Sequence, residues 1–118
     1  MSGALTTHVL DTASGRPAAG MSIALFAGDV TENHMPLVSL QTNADGRCAA
    51  PLLSGEAMVA GRYTLCFYVG DYFKSQGTKG AGAFLDVVPV VFVISEPSQH
   101  YHVPLLVTPW SYSTYRGS

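Results

Sequence analysis

The chain has 118 residues, 47% of them hydrophobic and 12% charged, with a net charge of −2 at pH 7. That length fits one domain, residues 1–118, and a chain of this size buries about 65% of the surface its unfolded form exposes. Its 6 basic residues are scattered, so no cationic stripe neutralises phosphates and nucleic acid is excluded as a partner, while the low charge points to a buried subunit interface.

Taken in order, the elements are mostly strands. "ALTTHVLD" (4–11) is followed by the turn-rich "TASGRPAAG", then by "MSIALFAG" (21–28) and "PLVSLQT" (36–42). "NADGR" (43–47) holds a DG turn, where glycine supplies the positive φ of a tight reversal. "CAAPLL" (48–53) is a short strand that Pro51 marks as an edge or an end. In "RYTLCFYVG" (62–70), Tyr63, Leu65, Phe67 and Val69 face one way. "DYFKSQGTK" (71–79) breaks that alternation and predicts a short helix capped by Asp71. "LDVVPVVFVI" (85–94), "HYHVPLLV" (100–107) and "WSYSTYR" (110–116) complete an all-β sandwich pattern. The ending is unusual. Trp110, Tyr112, Thr114 and Tyr115 favour extended backbone where final residues are normally loose and polar.

"MSGALTTHVLD" lacks the basic and apolar regions of a leader, and "FLDVVPVVFVI" is broken by Asp86 and Pro89, far short of a membrane span. "RGS" is not a peroxisomal address. The expectation is a cytoplasmic protein with no membrane partner. Cys48 and Cys66, 18 positions apart without CxxC spacing, read as small buried hydrophobes, although a disulfide is open to them.

Several polar residues do not fit a bland strand. Period-two geometry puts Leu5, Thr7 and Val9 on one face and Thr6, His8 and Leu10 on the other. His8 alone reads as an ordinary surface or hydrogen-bonded histidine. In "QHYHVPLL", His100 and His102 share a face opposite Tyr101, Val103 and Leu105. Three readings stand side by side: acid–base chemistry, a zinc site with His8 as third ligand, and an exposed polar face. Arg47, just after the DG turn, is either solvated or a fixed cation for a carbonyl or oxyanion. There is no GxSxG elbow, phosphate loop or carboxylate pair.

"LTTHVLD", "TNADGR", "HYHVPLL" and "YSTYRGS", in that order, resemble the transthyretin-like proteins and, within them, the 5-hydroxyisourate hydrolases of purine breakdown. The likeness covers nearly the whole chain, and "YRGS" is its most specific piece. It implies a transthyretin-like sandwich of two four-stranded sheets with one short helix. It also implies a homotetramer, a dimer of dimers, with sites in the channel between dimers. The closing strand would then pack at a subunit interface and wall a substrate pocket. The family's catalytic positions fall on His8, Arg47 and His102, and its closing tetrapeptide on Tyr115, Arg116, Gly117 and Ser118. Ser111 and Trp110 depart from the family's usual glycine and smaller aromatic without touching those positions.

The resemblance implies hydrolysis of 5-hydroxyisourate to the ureido-imidazoline carboxylate OHCU. His102 would activate water and His8 would polarise or protonate the ring. Which histidine is the base stays open, as does the role of His100. Arg47 would hold a ring carbonyl and the developing oxyanion. Ser118 would position water, and Tyr115, Arg116 and Gly117 would line the substrate. No cofactor or metal is required, though the histidine cluster leaves room for one. The alternatives are a transthyretin-like carrier of a small ligand and a sandwich with no site, in which His8 and His102 would be exposed and far apart.

Overall fold

The computed structural model describes residues 3–31 and 34–117. Its strands are β1 (Ala4–Thr6), β2 (Val9–Asp11), β3 (Arg16–Pro17), β4 (Ser22–Ala27), β5 (Val38–Gln41), β6 (Leu53–Ser54), β7 (Gly61–Phe67), β8 (Val88–Ile94), β9 (His100–His102), β10 (Leu105–Val107) and β11 (Tyr112–Thr114). Helix α1 (Val69–Ser75) lies between β7 and β8, and a single 3-10 turn, Gly55–Ala57, follows β6. Among the described residues, no helix is long and apolar enough to cross a membrane.

One layer is a four-stranded antiparallel sheet in the order β5-β4-β7-β8. The facing layer is split into β6-β1-β9 and β11-β10-β2-β3. Its two central strands are continuous in direction, however. β1 pairs parallel with β9, and β2 parallel with β10. Val103 N–H donates to the Thr6 carbonyl and Leu105 N–H to the His8 carbonyl, both at 2.9 Å, and so bridge the gap. With β3 and β6 on one flank and β11 on the other, this layer too is four strands wide, giving the expected sandwich of two four-stranded sheets.

The break falls at Pro104, which has no N–H to give the ladder. Its carbonyl is satisfied by the Thr114 hydroxyl at 2.7 Å. Between the layers, Leu5, Val9, Ile23, Leu25, Leu65, Phe67, Leu105 and Val107 are wholly buried. Each such side chain contributes about 1.5–3 kcal/mol relative to exposure. Alternation in β7 runs as expected through Phe67, yet Thr64 and Cys66 are buried as well. The second face is covered because Ala24, Phe26 and Cys66 form a small cluster against Tyr68.

The helix begins two residues earlier than the sequence predicts and ends four earlier. Tyr68, not Asp71, is its N-cap, and Asp71 sits in the first turn, where the helix dipole favours a carboxylate. Gly77, at φ 68°, stops it. Thr78 N–H donates to the Phe73 carbonyl and Gly77 N–H to that of Lys74, a Schellman closure. The Tyr72 hydroxyl donates to the buried Asp11 carboxylate at 2.8 Å, tying α1 to β2.

Several expected strands are also shorter, among them 36–42, of which Val38–Gln41 remains. Residues 85–87 serve the joint instead: the Asp86 carbonyl accepts from Gly70 N–H and Leu85 N–H donates to Pro109. Only Leu53 of 48–53 is in a strand, because Cys48–Pro51 diverge to wall a cavity. The last strand stops at Thr114. Both cysteines are free, Cys66 buried and Cys48 partly so.

Candidate active site

The DG turn is built to reach β2. Asn43 Oδ1 accepts from the N–H groups of Asp45 and Arg47 at 2.9 and 3.1 Å. Gly46 has φ 73°, and a Cβ there would lie 2.4 Å from the Val9 carbonyl oxygen. Glycine is therefore needed for both the turn and the approach. The approach lets Val9 N–H donate to the Gly46 carbonyl at 2.8 Å. It also sets Arg47 opposite His8 in an isolated antiparallel bridge. His8 Nε2 lies 2.9 Å from the Asp45 carbonyl. A carbonyl only accepts, so this nitrogen carries the hydrogen and fixes the ring.

On the neighbouring strand, parallel pairing sets Thr6 beside His102 and Ala4 beside His100. Thr6 Oγ1 is 2.8 Å from both His100 Nε2 and His102 Nδ1. The far end of His102 meets the end of the chain. Gly117 N–H donates to the His102 carbonyl at 2.7 Å. A Cβ at Gly117 would stand 2.9 Å from His102 Cδ2. The glycine of "YRGS" therefore leaves room for the imidazole.

These elements surround a cavity of about 330 Å³ lined by Thr6, Thr7, Arg47, Cys48, His100 and His102, with the 49–51 segment as its remaining wall. Burial foremost, then the charges of Arg47, His100 and His8, hold His102 below the ordinary histidine value. It is thus neutral near pH 7 and free to take a proton. Burial pushes the Cys48 thiol up to about 11, so it is no nucleophile at neutral pH. The metal reading has no support in geometry: among the described residues no three His, Cys, Asp or Glu groups are placed to hold an ion.

Of the residues singled out from sequence, Arg47, His100 and His102 line this cavity, with His8 bridged to Arg47 and Gly117 bridged to His102 beside it. Arg116 does not enter the cavity. Its guanidinium lies 4.2 Å over the Tyr101 ring and donates to Gln99 Oε1 and the His100 carbonyl, each at 3.1 Å. Tyr115 is 60% exposed. With Arg116 and Thr114 it lines a second hollow, of about 240 Å³, whose other walls are Val90–Val93, Tyr101 and Val103. Ser118 lies outside the described residues. Thr6, on the His8 face of its strand, carries no functional signal in the sequence; its contact with both imidazoles depends on a parallel partner 94 and 96 residues away.

Residues 5–117 match the model of the HIUase/transthyretin family. The chain belongs to this family. It is 56% identical to a 5-hydroxyisourate hydrolase of Ralstonia nicotianae over 98% of this chain and 99% of that one. Among solved structures, the 5-hydroxyisourate hydrolase of Klebsiella pneumoniae superposes with a TM-score of 0.80 at 36% identity, covering 98% of this chain and 99% of the other. An (S)-allantoin synthase gives a TM-score of 0.91 at 48% identity over 99% of this chain, which spans only 44% of that longer protein.

Proposed function

We propose that this chain hydrolyses 5-hydroxyisourate to OHCU, 2-oxo-4-hydroxy-4-carboxy-5-ureidoimidazoline. Supporting this is the placing of Arg47 and His102 in the wall of one cavity, with His8 bridged to Arg47 beside it, in a chain similar to 5-hydroxyisourate hydrolases over its length. Water adds to a ring carbonyl and the six-membered ring opens at the amide C–N bond. His102, kept neutral by its surroundings, takes the water's proton. Arg47 receives the oxyanion as it forms, a contribution of about 10²–10³-fold for one such donor. His8, anchored to Asp45, is the second acid–base group and polarises or protonates the ring. These steps use side chains alone and call for no cofactor. Ser118 positions the water.

Within one chain Tyr115 is turned away from this cavity, so its contact with substrate requires a second copy. A homotetramer, arranged as a dimer of dimers, is the assembly we infer. It is supported by β8, an edge strand of seven uncharged residues paired only with β7 among the described strands. Val91 and Val93 on it are 52% and 59% exposed. Such an edge invites pairing with another strand. We place the enzyme in the cytoplasm.

The decisive experiment adds purified protein to 5-hydroxyisourate freshly generated by urate oxidase and follows the near-ultraviolet absorbance. Decay faster than the spontaneous rate is expected. Saturable binding with unaltered decay would instead identify a small-ligand carrier.

A further inference from the structure

The hydroxyl of Thr6 has a single hydrogen and two imidazole nitrogens within reach: His100 Nε2 and His102 Nδ1, both at 2.8 Å. A threonine oxygen gives one hydrogen bond and accepts others. When it donates to His100 Nε2, it must accept from His102, which then carries its hydrogen on Nδ1 and bares the lone pair of Nε2. When it donates to His102 Nδ1, it must accept from His100, and His102 Nε2 is blocked by its own hydrogen. In both arrangements the two neutral rings hold the same tautomer. They switch together.

We propose that Thr6 is a positioning residue that joins His100 and His102 into one proton-sharing unit, in which His102 takes the proton from water and His100 ends with the charge. This rests on the hydrolase reading for its chemical purpose, though not for its geometry. A water O–H bond breaks and a bond to His102 Nε2 forms. The Nδ1 hydrogen of His102 passes to Thr6 Oγ1, and the Thr6 hydrogen passes to His100 Nε2. Hydroxide adds to the carbonyl, His102 is again neutral, and His100 is the imidazolium. Reversing the path returns the proton to the departing ring nitrogen, so hydrogens and charge balance.

The surroundings favour that destination. His102 is partly buried and feels the charges of Arg47 and His8, whereas His100 is exposed. Arg116 donates to the backbone carbonyl of His100. A charge is better solvated at His100 than at His102. The arrangement gives the histidine pair a division of labour that period-two spacing alone does not.

The test has two parts. Nitrogen-15 NMR of the histidines in the free protein, above their titration range, is expected to show His100 and His102 in the same tautomer. Different tautomers overturn the proposal whatever the activity. Thr6→Val should uncouple the two rings and lower kcat by about 10–100-fold with KM little changed, as expected for losing part of a positioned base. Thr6→Ser should restore both the tautomers and the rate. Wild-type turnover in Thr6→Val would sink the relay. Because the NMR measurement needs neither substrate nor a variant, shared tautomers would support the unit even in a protein that fails to hydrolyse 5-hydroxyisourate.

Discussion

Strand β9 separates two hollows that differ in the side chains they gather. On one side His100 and His102 look into the cavity with Arg47 and Thr6. On the other, Tyr101 joins Val103 and the flank of β8 around the hollow that holds Tyr115. Three consecutive residues thus feed two sites, because successive side chains on a strand point to opposite faces. The first hollow is furnished with acid–base groups by one chain. The second, rich in β8 valines but also lined by Thr114, Tyr115 and Arg116, lies at a sheet edge and holds no histidine. The histidine cavity and the β8-edge hollow are therefore separated by one residue of spacing, and the closing "YRGS" touches both: Tyr115 and Arg116 line the second hollow while Gly117 N–H donates to the His102 carbonyl.

The largest effect should come from the histidine side. His102→Asn retains a hydrogen-bonding group of similar size but no base, and turnover should fall by about 10²–10⁴-fold. Circular dichroism and oligomeric state should be unchanged. Near-normal activity would remove His102 from the chemistry.

Arg47→Gln comes next, with a loss of about 10²–10³-fold in kcat. It also carries a pH signature. His102 must be neutral to act, and Arg47 is the second cause holding its pKa below the usual value. In the wild type, the acid limb of kcat/KM that belongs to His102 should fall below the ordinary histidine value. Without the guanidinium the protonated form is less disfavoured, so the acid limb should move to higher pH. An unmoved limb would mean that the titration belongs to another group.

On the other side, Val91→Asp places a charge on the exposed β8 edge without touching any group in the histidine cavity. Sedimentation should show species smaller than a tetramer, with activity reduced only as far as assembly is lost. Full-size tetramers would break the proposed link between this edge and association.

How much of this was legible beforehand follows from the range of each interaction. Alternation along 4–11 and 100–107 put the correct residues inward, because a strand's faces are set by local geometry. "NADGR" announced its turn for the same reason. The helix was misplaced because its limits come from Tyr68 packing and the Gly77 closure rather than from Asp71. Thr6 passed unnoticed because a threonine beside a histidine means little until a parallel strand sets a second imidazole against it. The resemblance places Arg116 among the substrate contacts, a role that one chain does not test. In the fold it is a clamp on Tyr101 and His100, a contact decided by register across the sheet.

The smallest expected effect is none at all, and it bears on why the polar hollow has three histidines nearby. A zinc site would need several of their free nitrogens aimed at one point, about 2.0–2.1 Å from the ion. Instead His8 gives its Nε2 hydrogen to Asp45, while His100 and His102 both turn a nitrogen toward the Thr6 hydroxyl. Recruiting them would break three hydrogen bonds and set the ion beside the Arg47 cation. Dialysis against a strong chelator should therefore leave kcat and KM unchanged. Loss of activity that zinc restores would show that the rings swing away from Thr6 in the working enzyme, and with that the difference between the two hollows would rest on a metal rather than on proton sharing.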